Sequence, residues 1–226
     1  MSLISYLHRS MSGQRGDGRR WLMSATAALL ACGWVGSALA AEGAERLDRY
    51  LAGINSLKAD FVQYTFNADR SKMMEAHGTL YLQRPGRFRW EYDSPTKQII
   101  IADGQRVYLH DLELRQVSQQ SQAKALRGTP ALLLANRDPI ADHFTTRAVP
   151  SQDGRDWVEL TPREQDTEVV RIEVGLGQDT LDSLIMQDSF GQETRLNFSA
   201  AQRNPVLKPE LFQIDRAAVD DFLDLD

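Results

Sequence analysis

The chain has 226 residues, of which 26 are basic and 31 acidic, so the net charge at pH 7 is −5. This acidic balance argues against a nucleic-acid partner, because proteins that bind nucleic acid neutralise phosphates with clustered basic side chains. The only cysteine is Cys32, which excludes an internal disulfide and leaves the core alone to stabilise the fold.

The N-terminal segment has the pattern of a secretory signal peptide. A polar leader with Arg15, Arg19 and Arg20 precedes 21 uncharged residues, Trp21 to Ala41, which include the small-residue site Ala38-Leu39-Ala40. A basic region, an apolar stretch and a small-residue peptidase site are the three parts of such a signal. We therefore predict that residues 1–40 are removed by cleavage near Ala40, and that residues 41–226 form a single domain.

Two alternatives for the leader remain open. Leu29-Leu30-Ala31-Cys32 resembles a bacterial lipoprotein signal, in which the cysteine is lipidated and anchors the mature protein. An uncleaved membrane anchor is the other, because 21 residues are long enough to span a bilayer. Cleavage near Ala40 would remove Cys32 and shift the net charge to −8.

The exported part begins with a helical pattern. Leu47, Leu51, Ile54 and Leu57 recur at helical spacing with charged residues between them. This predicts an amphipathic helix within residues 44–65, whose apolar stripe must pack on another element.

The period then changes from helix to strand. In "GTLYLQRPGRFRWEY", Leu80 and Leu82 alternate with polar residues, and after the Pro-Gly turn Phe88, Trp90 and Tyr92 share one face. The stretch "KQIIIADGQRVYLHD" follows with an Asp-Gly turn between two β-rich runs. Both stretches predict antiparallel hairpins.

Helical signals return in mid-chain. Thr129 is an N-cap residue followed by proline and "ALLLA", and Asp138-Pro139 repeats this signal before "IADHF". We predict two short helices here.

Strands then resume to near the C-terminus. The predicted strands are "DWVELTP", then "EVVRIEVGL" with Val170, Ile172, Val174 and Leu176 on one face, then two strands within "LDSLIMQDSFGQETRLNFS". The sum is an α+β domain with an antiparallel sheet, whose apolar face must be covered by the first helix and the inserted helices. A complete cover would make an ordinary core, and a loose cover would make a hydrophobic cavity with a lid.

Few residues of the sequence suggest a catalytic site. His77, His110 and His143 lie in no metal-ligand or nucleophile pattern, and we interpret them as surface residues. The acidic end "DDFLDLD" is interpreted as a solvated tail. We predict no enzyme activity, no metal and no cofactor.

A specific resemblance appears in residues 78–117, "GTLYLQRPGRFRWEYDSPTKQIIIADGQRVYLHDLELRQV". This stretch resembles the central hairpins of the LolA family, the periplasmic carriers of outer-membrane lipoproteins in Gram-negative bacteria. The resemblance extends through "LDRYLAGINSLKADFVQ", "TPALLLANRDP" and "DWVELTPRE", and covers nearly all of residues 44–212. The tail after Phe212 departs from the family pattern because it lacks the usual Pro-Gly pair.

The resemblance implies a fold and a function. The expected fold is an incomplete antiparallel β-barrel, a curved sheet with a helical lid covering a hydrophobic cavity. The expected protein is a periplasmic chaperone and a monomer, which binds the acyl chains of lipoproteins. It would receive them from an inner-membrane ABC-type lipoprotein-releasing complex and deliver them to an outer-membrane lipoprotein acceptor.

The resemblance also assigns residues. Arg84 matches the family arginine that is expected to hydrogen-bond the lid backbone when the lid is closed. The positions that match the apolar cavity lining are Leu51, Phe88, Trp90, Leu133, Leu134 and Leu184. Each of these has an ordinary alternative, a turn-stabilising surface arginine or a plain core residue.

Three alternative functions follow from the same pattern. A similarly folded acceptor anchored in the outer membrane would require lipidation at Cys32. A periplasmic lipid-binding sensor usually carries a further regulatory domain, for which this chain has no room. A lipid hydrolase would need a serine with a histidine in reach, and no motif for one is present.

Overall fold

The computed structural model describes residues 45–150, 153–165 and 167–226. The predicted signal peptide and the lipidation alternative at Cys32 lie outside the described residues and stay predictions. No helix within the described part of the chain has both the length and the apolar character needed to cross a membrane.

Twelve strands form one curved sheet that does not close on itself. Hydrogen-bonded neighbours follow the order β12-β6-β5-β4-β3-β2-β1-β11-β10-β9-β8-β7, so β12 and β7 are the edges. The strands are β1 Ser56–Phe66, β2 Met73–Gln83, β3 Arg87–Ser94, β4 Gln98–Asp103, β5 Arg106–Asp111, β6 Gln116–Ser121, β7 Phe144–Val149, β8 Asp156–Pro162, β9 Val169–Leu176, β10 Leu181–Asp188, β11 Glu193–Arg203 and β12 Asp221–Asp224.

Helices are few and short among the described residues. The first, α1, covers residues 45–52. The helices of the insertion are α2 Gln122–Ala125, α3 Pro130–Ala135 and α4 Ile140–His143, and two 3-10 helices follow at Pro209–Phe212 and Arg216–Ala218. We call residues 129–143, which contain α3 and α4, the lid. The sheet with few helices confirms the predicted fold class.

The predicted helix within residues 44–65 is only partly right. Helix α1 ends at residue 52, and Ser56–Phe66 is the strand β1 instead. Leu57 therefore continues the apolar pattern on a strand, where Leu57 and Phe61 point inwards. The strand wins because β1 lies between β2 and β11 and pairs with both along nearly its whole length, so its backbone groups find more partners there than in a longer helix.

The two predicted hairpins are confirmed. Strand β2 pairs with β3, and β4 pairs with β5, both antiparallel. The β2–β3 turn contains Gly86 at φ +77°, a conformation that favours glycine. Gly78 on β2 is required for another reason, because a Cβ there would lie 1.8 Å from the backbone oxygen of Glu91.

The lid helices are also confirmed, with one correction. The Thr129 hydroxyl accepts a hydrogen bond from the Leu132 backbone N–H at 3.3 Å, and proline occupies the first turn of α3. In α4 the N-cap position is Pro139 rather than Asp138, and no side chain caps it.

One face prediction on β9 is wrong at its first residue. Ile172, Val174 and Leu176 are buried together, but Val170 is 43% exposed and Val169 is buried in its place. The register with β10 shifts opposite this point, and such an irregularity turns side chains before it to the other face.

The acidic C-terminal end is exposed to solvent as predicted, but it is an edge strand rather than a free tail. Residues Asp221–Asp224 form β12, which pairs with β6 in parallel and covers that edge of the sheet. The Arg115 guanidinium donates to both oxygens of Asp220 at 2.6 and 2.9 Å, and Arg106 reaches Asp226 at 2.8 Å. The carboxylates therefore pair with basic side chains of the sheet. The run of acidic residues in the sequence does not indicate these partners.

Candidate functional site

The six predicted lining residues come together on the concave side of the sheet. They lie on α1 (Leu51), β3 (Phe88 and Trp90), α3 (Leu133 and Leu134) and β10 (Leu184). All belong to one hydrophobic cluster, and none is more than 6% exposed. In this closed arrangement the side chains of the lid fill the space over the sheet.

Aromatic rings form the centre of this cluster. The Phe61 ring lies 5.4 Å from the Trp90 ring and 5.2 Å from the Tyr92 ring, both edge to face. Phe61 was not singled out from the sequence, because it falls in the stretch assigned to a helix. The strand alternation of "LKADFVQYTF" is the signal that identifies it.

Two polar groups lie inside this hydrophobic cluster, whose sheet residues we call the apolar wall. The Tyr92 hydroxyl donates to the Gln63 side-chain oxygen at 2.9 Å, and burial raises the pKa of Tyr92 above its ordinary value. The Trp90 indole N–H is buried and has no hydrogen-bond acceptor within the described chain. A buried donor without an acceptor costs about 1–3 kcal/mol.

Arg84 joins the lid to the first helix. Its guanidinium donates one hydrogen bond to the Leu51 backbone oxygen, at the end of α1, and another to the Asn136 backbone oxygen, at the end of α3. The side chain is 8% exposed, and burial, followed by the nearby Arg137, lowers the pKa of Arg84. The predicted arginine–lid contact is therefore present in the geometry.

Backbone and side-chain bonds support the same closure. The Gly86 N–H donates to the Ala135 oxygen at 2.9 Å, and the Arg137 guanidinium donates to the Asn55 side-chain oxygen at 2.8 Å. The Ile140 N–H lies 3.4 Å from the Asp48 carboxylate. Sequence reasoning missed these partners, because each bond joins residues at least 49 positions apart with no local pattern to relate them.

A pocket of about 380 Å³ lies beside Arg84, where α1 meets the lid. We call it the seam pocket, and its lining includes Asp48, Leu51, Arg84, Arg137, Asp138 and Pro139.

The three described histidines differ in their exposure. His77 is exposed and His143 is half-buried, but His110 is 5% exposed, so the surface interpretation is wrong for His110. It lies on β5, whose residues pair with both β4 and β6 in the interior of the sheet. Among the described residues, no group of three or more His, Cys, Asp or Glu side chains is placed to hold a metal ion.

Comparison with known proteins identifies the family. The model of the family "Outer membrane lipoprotein carrier protein LolA" matches residues 52–215. An outer-membrane lipoprotein carrier protein of Cupriavidus pinatubonensis is 35% identical over 199 residues, which cover 86% of this chain and 93% of the relative. This chain belongs to the LolA family.

Other similarities agree with this assignment. An outer-membrane lipoprotein carrier protein of Methylococcus capsulatus is 36% identical over 180 residues, 79% of this LolA-family chain and 86% of the relative. A conserved protein from Thermus thermophilus has a solved structure with a TM-score of 0.50 and 13% identity, covering 81% of this chain and 98% of that one. At that identity the structural likeness shows the fold alone.

Proposed function

We propose that this LolA-family chain is a periplasmic lipoprotein carrier. It takes up the acyl chains of lipoproteins that an inner-membrane ABC-type complex releases, and it delivers them to an outer-membrane acceptor. The name of its relatives, outer-membrane lipoprotein carrier protein, supports the cargo class. The site residues of the proposal are the six lining residues and Arg84.

One observation carries the proposal. A single buried guanidinium holds both α1 and the lid across a continuous apolar face. An ordinary core does not need such a tie, because apolar packing alone holds its parts together. A closure held by this guanidinium and a few further hydrogen bonds is suited to opening and shutting.

The energies favour opening when a guest is present. Freeing Leu133 and Leu134 and breaking both guanidinium bonds costs roughly 6–12 kcal/mol. The other three hydrogen bonds of the lid raise this to roughly 8–17 kcal/mol. An acyl chain of roughly 14 methylenes gains about 11 kcal/mol on leaving water. One chain therefore offsets most of the cost of opening, and further chains make loading favourable, whereas the empty carrier stays shut.

The wall also offers a polar contact to the guest. Acyl chains of lipoproteins are joined through ester or amide carbonyls, and the Trp90 indole N–H is a buried donor without an acceptor within the described chain. A carbonyl of the guest would satisfy it once the lid has moved.

The direct test is transfer of cargo into solution. Purified protein is incubated with ATP and inner-membrane vesicles that contain a labelled lipoprotein, and the label is followed into the soluble fraction. We expect transfer by the native protein and a strong loss in Leu134→Gln, with Leu132→Gln as the matched control, since Leu132 is only half-buried. Absence of transfer by the native protein would refute the proposal.

Mass spectrometry of the mature N-terminus separates the carrier from the acceptor. The carrier begins at an unmodified residue near Ala41, whereas the alternative, an acceptor anchored in the outer membrane, begins at a triacylated Cys32. The first result also fixes the periplasmic location that the proposal requires.

A further inference from the structure

The hydrogen bonds that join the lid to α1 and the loop after it lie beside the seam pocket. Leu51 and Asp48 belong to α1, Arg84 lies between them and the lid, and Arg137 projects from the lid loop. A group that enters the pocket therefore meets the hydrogen bonds that hold the lid shut.

The charged side chains that line the pocket differ in their hydrogen-bond partners. Arg84 is buried, yet its hydrogen bonds go only to neutral carbonyls, and its Nε–H has no partner among the described residues. Asp138 already accepts from the Asn136 side chain and lies 3.3 Å from His143, so neither guanidinium has it as a hydrogen-bond partner in the described chain. Among the described residues, the hydrogen bonds of both guanidinium groups go to neutral oxygens, while the two carboxylates that also line the pocket, Asp48 and Asp138, accept from other groups.

An incoming carboxylate would displace the carbonyls. A carboxylate carries a full opposite charge and can accept two parallel hydrogen bonds from one guanidinium, whereas each backbone carbonyl that Arg84 now contacts is neutral. Arg137 is exposed at the rim and Arg84 lies deeper, so a carboxylate would meet Arg137 first. Its negative charge would then compete with the Asn136 oxygen for Arg84 and free the end of α3.

We propose that the seam pocket receives an aspartate or glutamate side chain of the partner protein that loads the carrier, and that this carboxylate unlocks the lid. The inference rests on the proposed function, because it requires a loading partner. A protein side chain suits the pocket better than a free anion, since a soluble anion would open the lid away from the cargo.

Charge variants at the rim test the inference. The assay is ATP-dependent release of labelled lipoprotein from inner-membrane vesicles as a function of carrier concentration. Uptake of a synthetic triacylated lipopeptide from detergent solution is measured in parallel, and each release value is divided by the corresponding uptake value. Thermal unfolding of each variant controls for folding.

The expected changes have opposite signs. Arg137→Gln should raise the carrier concentration for half-maximal release about fivefold, the size of one lost charge pair, and Arg137→Glu should raise it further. Arg137→Lys should stay close to the native value. Asp138→Asn should lower the half-maximal concentration, because it removes a negative charge that repels the incoming carboxylate.

Each result bears on a different claim. Native protein that neither releases lipoprotein nor takes up lipopeptide refutes the carrier function itself. Native protein that does both, with Arg137→Glu releasing as well as the native chain, refutes only the unlocking carboxylate. The unlocking carboxylate is also refuted if Arg137→Gln reduces lipopeptide uptake as much as release, or if Asp138→Asn impairs release.

Discussion

Replacing Arg84 with methionine should shift the lid towards its open state. The closed state loses two hydrogen bonds from a charged donor, each worth about 1.5–3 kcal/mol. Methionine keeps the apolar stem and recovers part of this by ending the burial of a charge. The net cost to closure is about 2 kcal/mol, which is roughly a 30-fold change in the opening equilibrium.

Hydrogen exchange at the Gly86 amide measures this opening directly. That N–H donates to the Ala135 oxygen in the lid, so it exchanges when the lid lifts. We expect roughly 30-fold faster exchange at Gly86 in Arg84→Met, and an intermediate rate in Arg84→Lys, which can keep one bond. The Ile100 amide, on a strand between β3 and β5, is the control and should not change.

The same shift has a consequence for cargo. If the binding-competent open state becomes roughly 30-fold more populated, the apparent affinity for a triacylated lipopeptide rises by up to that factor. Handover to an acceptor slows, because closure no longer helps to expel the guest. Exchange at Gly86 that is no faster in Arg84→Met than in the native protein would refute the role of Arg84 as the lock, the residue that holds the lid closed.

Three further substitutions test the packing around the site. Phe88→Glu puts a carboxylate where the native ring is 2% exposed, and should lower the free energy of unfolding in urea by at least about 3 kcal/mol; a loss below 1 kcal/mol would mean that this wall is not packed. Gly78→Ala should cost about 3 kcal/mol, because its Cβ would force apart β2 and the Glu91 backbone, and an unchanged urea midpoint would contradict that contact. Tyr92→Phe should cost about 1–2 kcal/mol by removing the donor to Gln63. Because burial raises the pKa of Tyr92, the native protein should be fully stabilised by this group below about pH 10 and lose that contribution at higher pH. Tyr92→Phe should show a smaller loss over the same range, because the other tyrosines whose pKa burial raises remain in place.

Local patterns decided which way many side chains face. The alternation that put Phe88, Trp90 and Tyr92 on one face holds in the structure, where all three are buried. The Thr129 cap and the following proline likewise predicted α3. These signals work because side-chain direction along a strand or helix follows from backbone geometry within a few residues.

The wrong predictions have a common cause in pairing between strands. Helix α1 ends at residue 52 because β1 pairs with strands on both of its sides. The acidic end becomes β12 because the edge of β6 and two arginines receive it. Val170 points outwards because the β9–β10 register shifts beside it. Some of these partners are distant in sequence and others, such as β2 beside β1 and β10 beside β9, follow directly, but all lie outside the few residues that a local pattern covers.

The amino-acid sequence by itself indicated the family, most of the strand faces and six residues of the hydrophobic cluster. Only the tertiary structure decided how the wall is closed. Arg84 bonds to carbonyls 33 and 52 residues away, and a carbonyl is the same on every residue, so no sequence pattern marks which one a guanidinium will reach. The partners of the lock therefore depend on how the chain folds back on itself.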